Sequence, residues 1–318
     1  MALRSALGFD KNLTGFAHAL QNKADAYIAD RVMPPVQVVG RTGSHYLFAD
    51  GFGFATPDHG IVRVSGGRFN RVIPEISQTA IYSLREYGVE AAVDDVDESI
   101  GQEDGVSLRE NATARAWHTA MVERERDAAA LLFSAAVITQ TSALLGGARW
   151  DDAASDPRDQ ADLAGETILA ATGVDQEDLS LLINTETWNN LRKNAALLQY
   201  FRATAPGMTR MNKVQAAEAL GIKEVIVGKA IANSAAENLA AVNGFVWGKS
   251  ALFCHIKSTP TDGEVPGTAY TFESRSRPQG QIERYREDPR AEIVLVSWFE
   301  DRAVVRANSA YLFTTVIS

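Results

Sequence analysis

The chain has 318 residues, 46% of them hydrophobic and 22% charged, with a formal net charge of −9. It is long enough for two domains and apolar enough for a proper core, which excludes a wholly disordered chain. The acidic balance argues against a dedicated nucleic-acid binder. The single cysteine, Cys254, excludes an intrachain disulfide and fits a reducing compartment. No secretory signal opens the chain and no apolar run is long enough for a bilayer, so a soluble protein made in cytoplasm is expected.

Residues 10–31 read as an amphipathic helix, with Leu13, Phe16, Ala17, Leu20, Ala24, Tyr27 and Ile28 on one face. Pro34 and Pro35 end it, because the residue before a proline is excluded from the helical region and proline has no N–H. Such an arm either docks on a neighbouring chain or packs on its own domain. Short β-type runs at 36–39, 46–48, 61–64 and 69–73 then alternate with glycines, and Tyr46, Phe48, Phe52, Phe54 and Phe69 supply aromatic surface. The stretch 36–80 has too few aliphatic residues for a core of its own. It reads as an extended hairpin that takes its packing from elsewhere, or as a glycine-rich meander on a larger sheet. Residues 81–93 read as a strand or a short helix around 84–87. The sequence DDVDESIGQED at 94–104 reads as a solvated acidic linker, since its carboxylates lack the spacing of a calcium loop.

The chain is organised around 107–145, which reads as one helix of roughly 55–60 Å or as an ordinary amphipathic helix broken once near Ala128. Ser107 and Glu110 have capping-box spacing. Ala112, Ala116, Trp117, Ala120, Met121, Ala128, Leu131, Leu132 and Ala135 make an apolar stripe, and Gly146-Gly147 supplies the stop. Arg115, Glu123, Arg126 and Asp127 lie largely off the stripe, and Glu125 is grouped with Glu123 on the charged face. Asp156-Pro157 then caps a helix that runs to Thr172 and ends at Gly173. Residues 179–183 form a strand, Asn184 or Thr185 caps a helix through Leu191, Asn212 opens a helix ending at Gly221, and 222–227 is the next strand. This alternation marks an α/β unit. Residues 245–254, 269–272, 291–299 and 304–315 complete the strands, with Glu300-Asp301 as the turn between the last two.

The search for chemistry is nearly empty. The stretch 244–250, GFVWGKS, is one residue short of a phosphate-cradling loop. The five histidines stand apart, and there is no zinc spacing and no nucleophile elbow. No catalytic residue, cofactor or metal is assigned.

The order of parts resembles the major capsid protein of tailed bacteriophages, with the Hong Kong 97-type fold. The resemblance is carried by IADRVMPPVQV at the end of the arm, by RENATARAWHTAMVERERDAAALLF in the long helix, and by TGVDQEDLSLLINTETWNNLRKN with its strand-to-helix step. It implies an α+β capsid fold: an N-terminal arm at 1–34, an extended loop at 35–80, a peripheral domain at 81–155 and 266–303 carrying the long spine helix, and an α/β axial domain at 156–265 and 304–318. It also implies self-assembly into hexamers and pentamers of an icosahedral head. That head encloses double-stranded DNA without sequence-specific binding, in a virion built in bacterial cytoplasm, and involves no membrane. Portal, scaffolding and decoration proteins are further candidate partners. With about thirty residues ahead of the loop, a separate scaffold or none is expected. No lysine occurs between Lys23 and Lys193, so the loop cannot crosslink through one. Candidate inter-subunit contacts are Arg41, Tyr46, Phe52, Phe54, Arg63, Arg68 and Arg71 on the loop, with Glu123 and Glu125 on the spine. An encapsulin-like compartment shell is the alternative, and an α/β enzyme with an accessory β-region the more distant one.

Overall fold

The computed structural model describes residues 8–9, 26–48, 67, 76–103, 107–201, 207–233, 235, 240, 242–258, 266–276, 281–288 and 290–318. Residues 10–25 of the helix expected over 10–31, and the β-runs at 61–64 and 69–73, lie outside these residues; residues 26–28 of that helix are not helical. Strand β1 is Gly8–Phe9, and a short helix, Ala29–Val32, stops at Met33 ahead of Pro34. Strands β2 (Pro35–Val38), β3 (Thr42–Phe48), β4 (Ile76–Ser83) and β5 (Arg85–Asp94) follow. The acidic stretch is not a linker but the helix Asp95–Glu103. Asp94 Oδ1 accepts the Val96 N–H, and Asp95, Asp97 and Glu98 occupy the first turn, where the helix dipole favours negative charge.

The long helix is Leu108–Leu132, 25 residues and roughly 37 Å, with Ser107 accepting the Glu110 N–H at its start. Its expected continuation to 145 is overturned. Phe133 caps the C-terminus, and the Ser134 carbonyl accepts from both Val137 and Ile138 in a turn. Val137, Ile138, Thr139 and Thr141 are β-branched and lose side-chain freedom in a helix. Ile138, fully buried, gains a core contact that a straight rod would deny it. Gly146-Gly147 lies in a separate 3₁₀ turn, beyond strand β6 (Thr141–Ala143).

The next expectations hold closely. Asp156 caps the helix Pro157–Thr172, and Gly173, at φ 77°, closes it in the left-handed region that glycine tolerates. Strand β7 (Leu179–Asn184) is buried throughout, and Asn184 caps Thr185–Leu191. The helix Ala195–Tyr200, not expected from sequence, is capped by Asn194. Asn212 and Gln215 form a full capping box for Lys213–Leu220. Then come β8 (Glu224–Gly228), β9 (Ile231–Asn233), β10 (Asn243–Phe245) and β11 (Ala251–His255); the single strand expected at 245–254 is interrupted between β10 and β11. Strands β12 (Ala269–Ser274), β13 (Gln281–Asp288), β14 (Ala291–Val304) and β15 (Ala310–Thr314) end the chain. The turn expected at Glu300-Asp301 does not exist, since β14 runs straight through it for 14 residues. Glu300 is satisfied inside the strand by two guanidinium groups.

Two main sheets result. The larger has the order β1–β13–β14–β12–β2, with β5 also paired along β14; β2 is parallel to β12 and the other pairs are antiparallel. The smaller has the order β6–β15–β11–β7–β8. Both of its faces are buried, which explains the near-continuous apolar run of β7: Leu181 and Ile183 face the helices 157–172 and 213–220, while Leu182 faces the opposite way. The long helix spans both sheets. Its Ala116, Trp117, Ala120 and Met121 pack on Ile282, Val294, Val296 and Trp298 of the larger sheet. Its Ala128, Ala129 and Leu132 pack with Leu182, Leu252 and Leu312 of the smaller one, together with Ile28, Val32 and Ile138. Replacing Ile138 by alanine removes a fully buried side chain at the point where the chain leaves the helix. It should cost about 2–5 kcal/mol, read as a lowered midpoint in thermal unfolding.

Candidate functional site

Strands β3 and β4 form a separate two-stranded sheet, antiparallel from Thr42↔Ser83 to Phe48↔Ile76. An isolated hairpin is marginally stable in water, and this one is held at its root. Leu84 N–H donates to Arg41 C=O at 2.8 Å, and Ser83 N–H to Asp301 Oδ2 at 2.8 Å. Tyr82 stacks on Phe272 with ring centroids 4.8 Å apart, and Arg41 sits 4.8 Å from the centre of the Phe299 ring. Of the loop residues singled out from sequence, Arg41 therefore serves the root of the hairpin. Tyr46 lies in β3 opposite Thr79. Phe52, Phe54, Arg63, Arg68 and Arg71 fall outside the described residues.

Glu123 is exposed and pairs with Arg126 one turn on, at 3.0 Å. Glu125 is not on the exposed face, which corrects its sequence placement. It is 1% exposed, Oε1 accepts the Ile28 and Ala29 N–H groups at 2.6 Å each, and Oε2 accepts the Trp247 indole N–H at 2.6 Å. Burial pushes its carboxyl above the ordinary range, against the pull of those three donors. Trp247, fully buried between β10 and β11, meets Phe133 edge-on.

Beside Glu125, Arg124 is 2% exposed and reaches Glu300 at 2.8 Å, Asp30 at 2.9 Å and Glu273 at 3.5 Å. Arg302 reaches Glu300 at 2.8 Å, the Arg124 carbonyl at 2.6 Å and Asp127 at 3.8 Å. Burial works against the Arg124 charge, but Asp30 and Glu300 outweigh it and hold the guanidinium protonated. The apolar stripe of the long helix breaks at 124–125, between Met121 and Ala128; an Arg-Glu pair at core positions was the available sign of this junction, and sequence reasoning passed over it. Arg31 adds an exposed ion pair to Glu224.

A groove of about 520 Å³ runs between the first half of the long helix and β5, lined by 89–94 with Asp97, Leu108, Asn111 and Arg115 among others. Among the described residues β5 pairs only with β14, so its outer edge is open to this groove. Also among the described residues, no cluster of three or more His, Cys, Asp or Glu could hold a metal ion, and no helix is long and apolar enough to cross a membrane.

No family model and no curated protein matches the chain. Solved structures do resemble it. A phage-related protein from Bordetella bronchiseptica RB50 superposes with a TM-score of 0.70 at 19% identity, covering 97% of this chain and 98% of that one. The capsid of cyanophage P-SCSP1u gives 0.56 at 14% identity, covering 91% and 88%. The SrpI encapsulin of Synechococcus elongatus PCC 7942 gives 0.52 at 13%, covering 89% and 85%. The chain thus has the α+β fold shared by this phage-related protein, this phage capsid and this encapsulin.

Glu125→Gln keeps one carbonyl oxygen for Ile28 and Ala29 but turns an NH₂ toward the Trp247 N–H. The opposed donors should cost about 1–3 kcal/mol in chemical denaturation. Adding Trp247→Phe should make the pair of changes less than additive in a double-mutant cycle.

Proposed function

We propose that this chain is the major subunit of an icosahedral head shell enclosing phage double-stranded DNA, and that it has no catalytic role. The observation that carries the reading is the likeness over nearly the whole chain to a phage-related protein and to a phage capsid. The hairpin supports it, because among the described residues β3 and β4 pair with no other strand, and a two-stranded sheet needs further packing that a neighbour can supply. In this reading the larger sheet and the first half of the long helix form the peripheral domain, and the smaller sheet with its helices the axial domain. The boundaries differ from the sequence expectation in that β2 pairs with the larger sheet and β6 with the smaller. Hexamers and pentamers of this chain, in a virion assembled in bacterial cytoplasm, are the expected products.

A cargo-filled compartment shell is the second reading, favoured by the encapsulin likeness. Negative-stain microscopy of purified protein should show shells of uniform size, and dispersed subunits under all conditions would overturn both readings. Nuclease-protected DNA in particles from the native host supports the first reading, and protein cargo without DNA the second. Deleting 49–75 through a short glycine linker, which keeps the hairpin root, should leave soluble subunits that form no shells.

The loop has no lysine, so the shell should be held noncovalently. Boiled particles should run as a single 34.4 kDa band on a denaturing gel, where a ladder would contradict this. We place Arg63 or Arg68 against carboxylates around the β5 groove of an adjacent subunit, where a guanidinium can bind both carboxylate oxygens. One exposed pair contributes about 0–1 kcal/mol, but a closed shell repeats it in every subunit. Changing both arginines to alanine should lower the temperature at which shells come apart.

A further inference from the structure

The cluster around Arg124 does more than join elements, because its charges do not balance. Two guanidinium groups, Arg124 and Arg302, face four carboxylates: Asp30 from the short helix, Asp127 from the long helix, Glu273 from β12 and Glu300 from β14. Glu273 and Glu300 are register partners on adjacent antiparallel strands, so two buried carboxyls stand directly opposite each other. Like charges in that position repel. The neighbour of Glu273 on its other side is Gln37 of β2, which brings no charge, and the neighbour of Glu300 on its other side is Arg85 of β5, which is exposed. Glu300 is bound by both guanidiniums at 2.8 Å, whereas among the described residues Glu273 has only Arg124 within ion-pair distance, at 3.5 Å, with Arg302 acting from further off. Asp127 is 45% exposed and pairs with Arg302 at 3.8 Å. Among these carboxyls Glu273 is the one both buried and poorly compensated.

We propose that Glu273 is the proton-binding member of this cluster, and that its ionisation loosens the hold of the core on residues 28–33. With Glu273 neutral, Arg124 serves Glu300 and Asp30. With Glu273 ionised, three carboxylates converge on one guanidinium in a buried site. Asp30 is the member able to leave: its side chain is 37% exposed, and it sits on a four-residue helix rather than in a sheet ladder. Its Oδ1 already lacks a hydrogen-bond donor. The energetics agree in sign. Burial, first of all, raises the Glu273 carboxyl to about 7 despite Arg124. A carboxyl raised on folding stabilises the closed state while protonated, and that stabilisation is lost as pH rises through 7. The inference does not depend on shell formation, since every group belongs to one chain.

Amide hydrogen exchange on the purified protein, followed by mass spectrometry and corrected for intrinsic rates, tests it. Peptides covering 26–33 should lose about tenfold in protection between about pH 6 and about pH 8, while a peptide from β7 serves as an unchanged internal reference. Glu273→Gln, a neutral near-isostere, should keep the higher protection at both pH values. Glu273→Met, neutral and apolar, should do the same and stands in if the glutamine variant fails to fold. Glu125 also contacts this segment, and a pH response arising there would survive both substitutions. Equal protection of the wild type at the two pH values, or a full pH response in either variant, would overturn the proposal.

Discussion

Arg124 and Glu125 interrupt a helix that is apolar on either side of them, and the rest of the structure is arranged so that this interruption is tolerated. Taking an ion out of water costs several kcal/mol unless partners replace the solvent. Here the partners come from every part of the chain: backbone N–H groups at 28 and 29, Asp30, Trp247, Glu273, Glu300 and Arg302. An apolar pair in the same place would leave the relative positions of these elements to shape alone. Buried, mutually dependent charges fix one registry, because any slip strands a charge. On this account the cluster contributes specificity more than net stability.

The position of the cluster along the helix gives that specificity its consequence. Before it the helix packs on the larger sheet; after it, on the smaller. Arg124 and Glu125 therefore sit where the two halves meet, and the segment 28–33 is laid across the same point. The hairpin root lies one residue from the cluster along β12 and β14, through Tyr82 on Phe272 and Asp301 on Ser83. The pairing of the two sheets thus fixes where the root of the hairpin sits, which a subunit of the proposed shell needs if the hairpin is to meet a neighbour in a fixed place.

What could be read from sequence followed local chemistry. Asp156-Pro157, Gly173, Asn184, Asn212 and Gly221 each mark a boundary through a hydrogen bond or a backbone conformation that a few residues decide, and the structure places those boundaries within a residue or two. The errors share one cause, which is that distant partners outweighed local signals. The long helix stops at Leu132 because Ile138 has a core to enter. Glu300-Asp301 looks like a turn until Arg124, 176 residues away, is brought against it. Glu125 looks solvent-facing for the same reason. The shell-like fold was legible through the order of parts and three local stretches, whereas the junction that holds those parts was visible only as a gap in an apolar stripe.

Sequence separation also orders events in time. The segment 33–38 pairs with Thr271, Phe272 and Glu273, more than 200 residues further along. Closing loops of that length is slow and entropically costly, and the contacts that offset the cost cannot form before their partners have been made. The root of the hairpin is in the same position, since Phe272, Phe299 and Asp301 belong to the last fifty residues. The smaller sheet likewise waits for β15, which lies between β6 and β11. A partly made chain thus has neither a fixed hairpin nor a closed pair of sheets. In the proposed shell, the hairpin with which the chain would meet a neighbour thus takes shape only after these late strands have been made, and shorter chains would not compete for places.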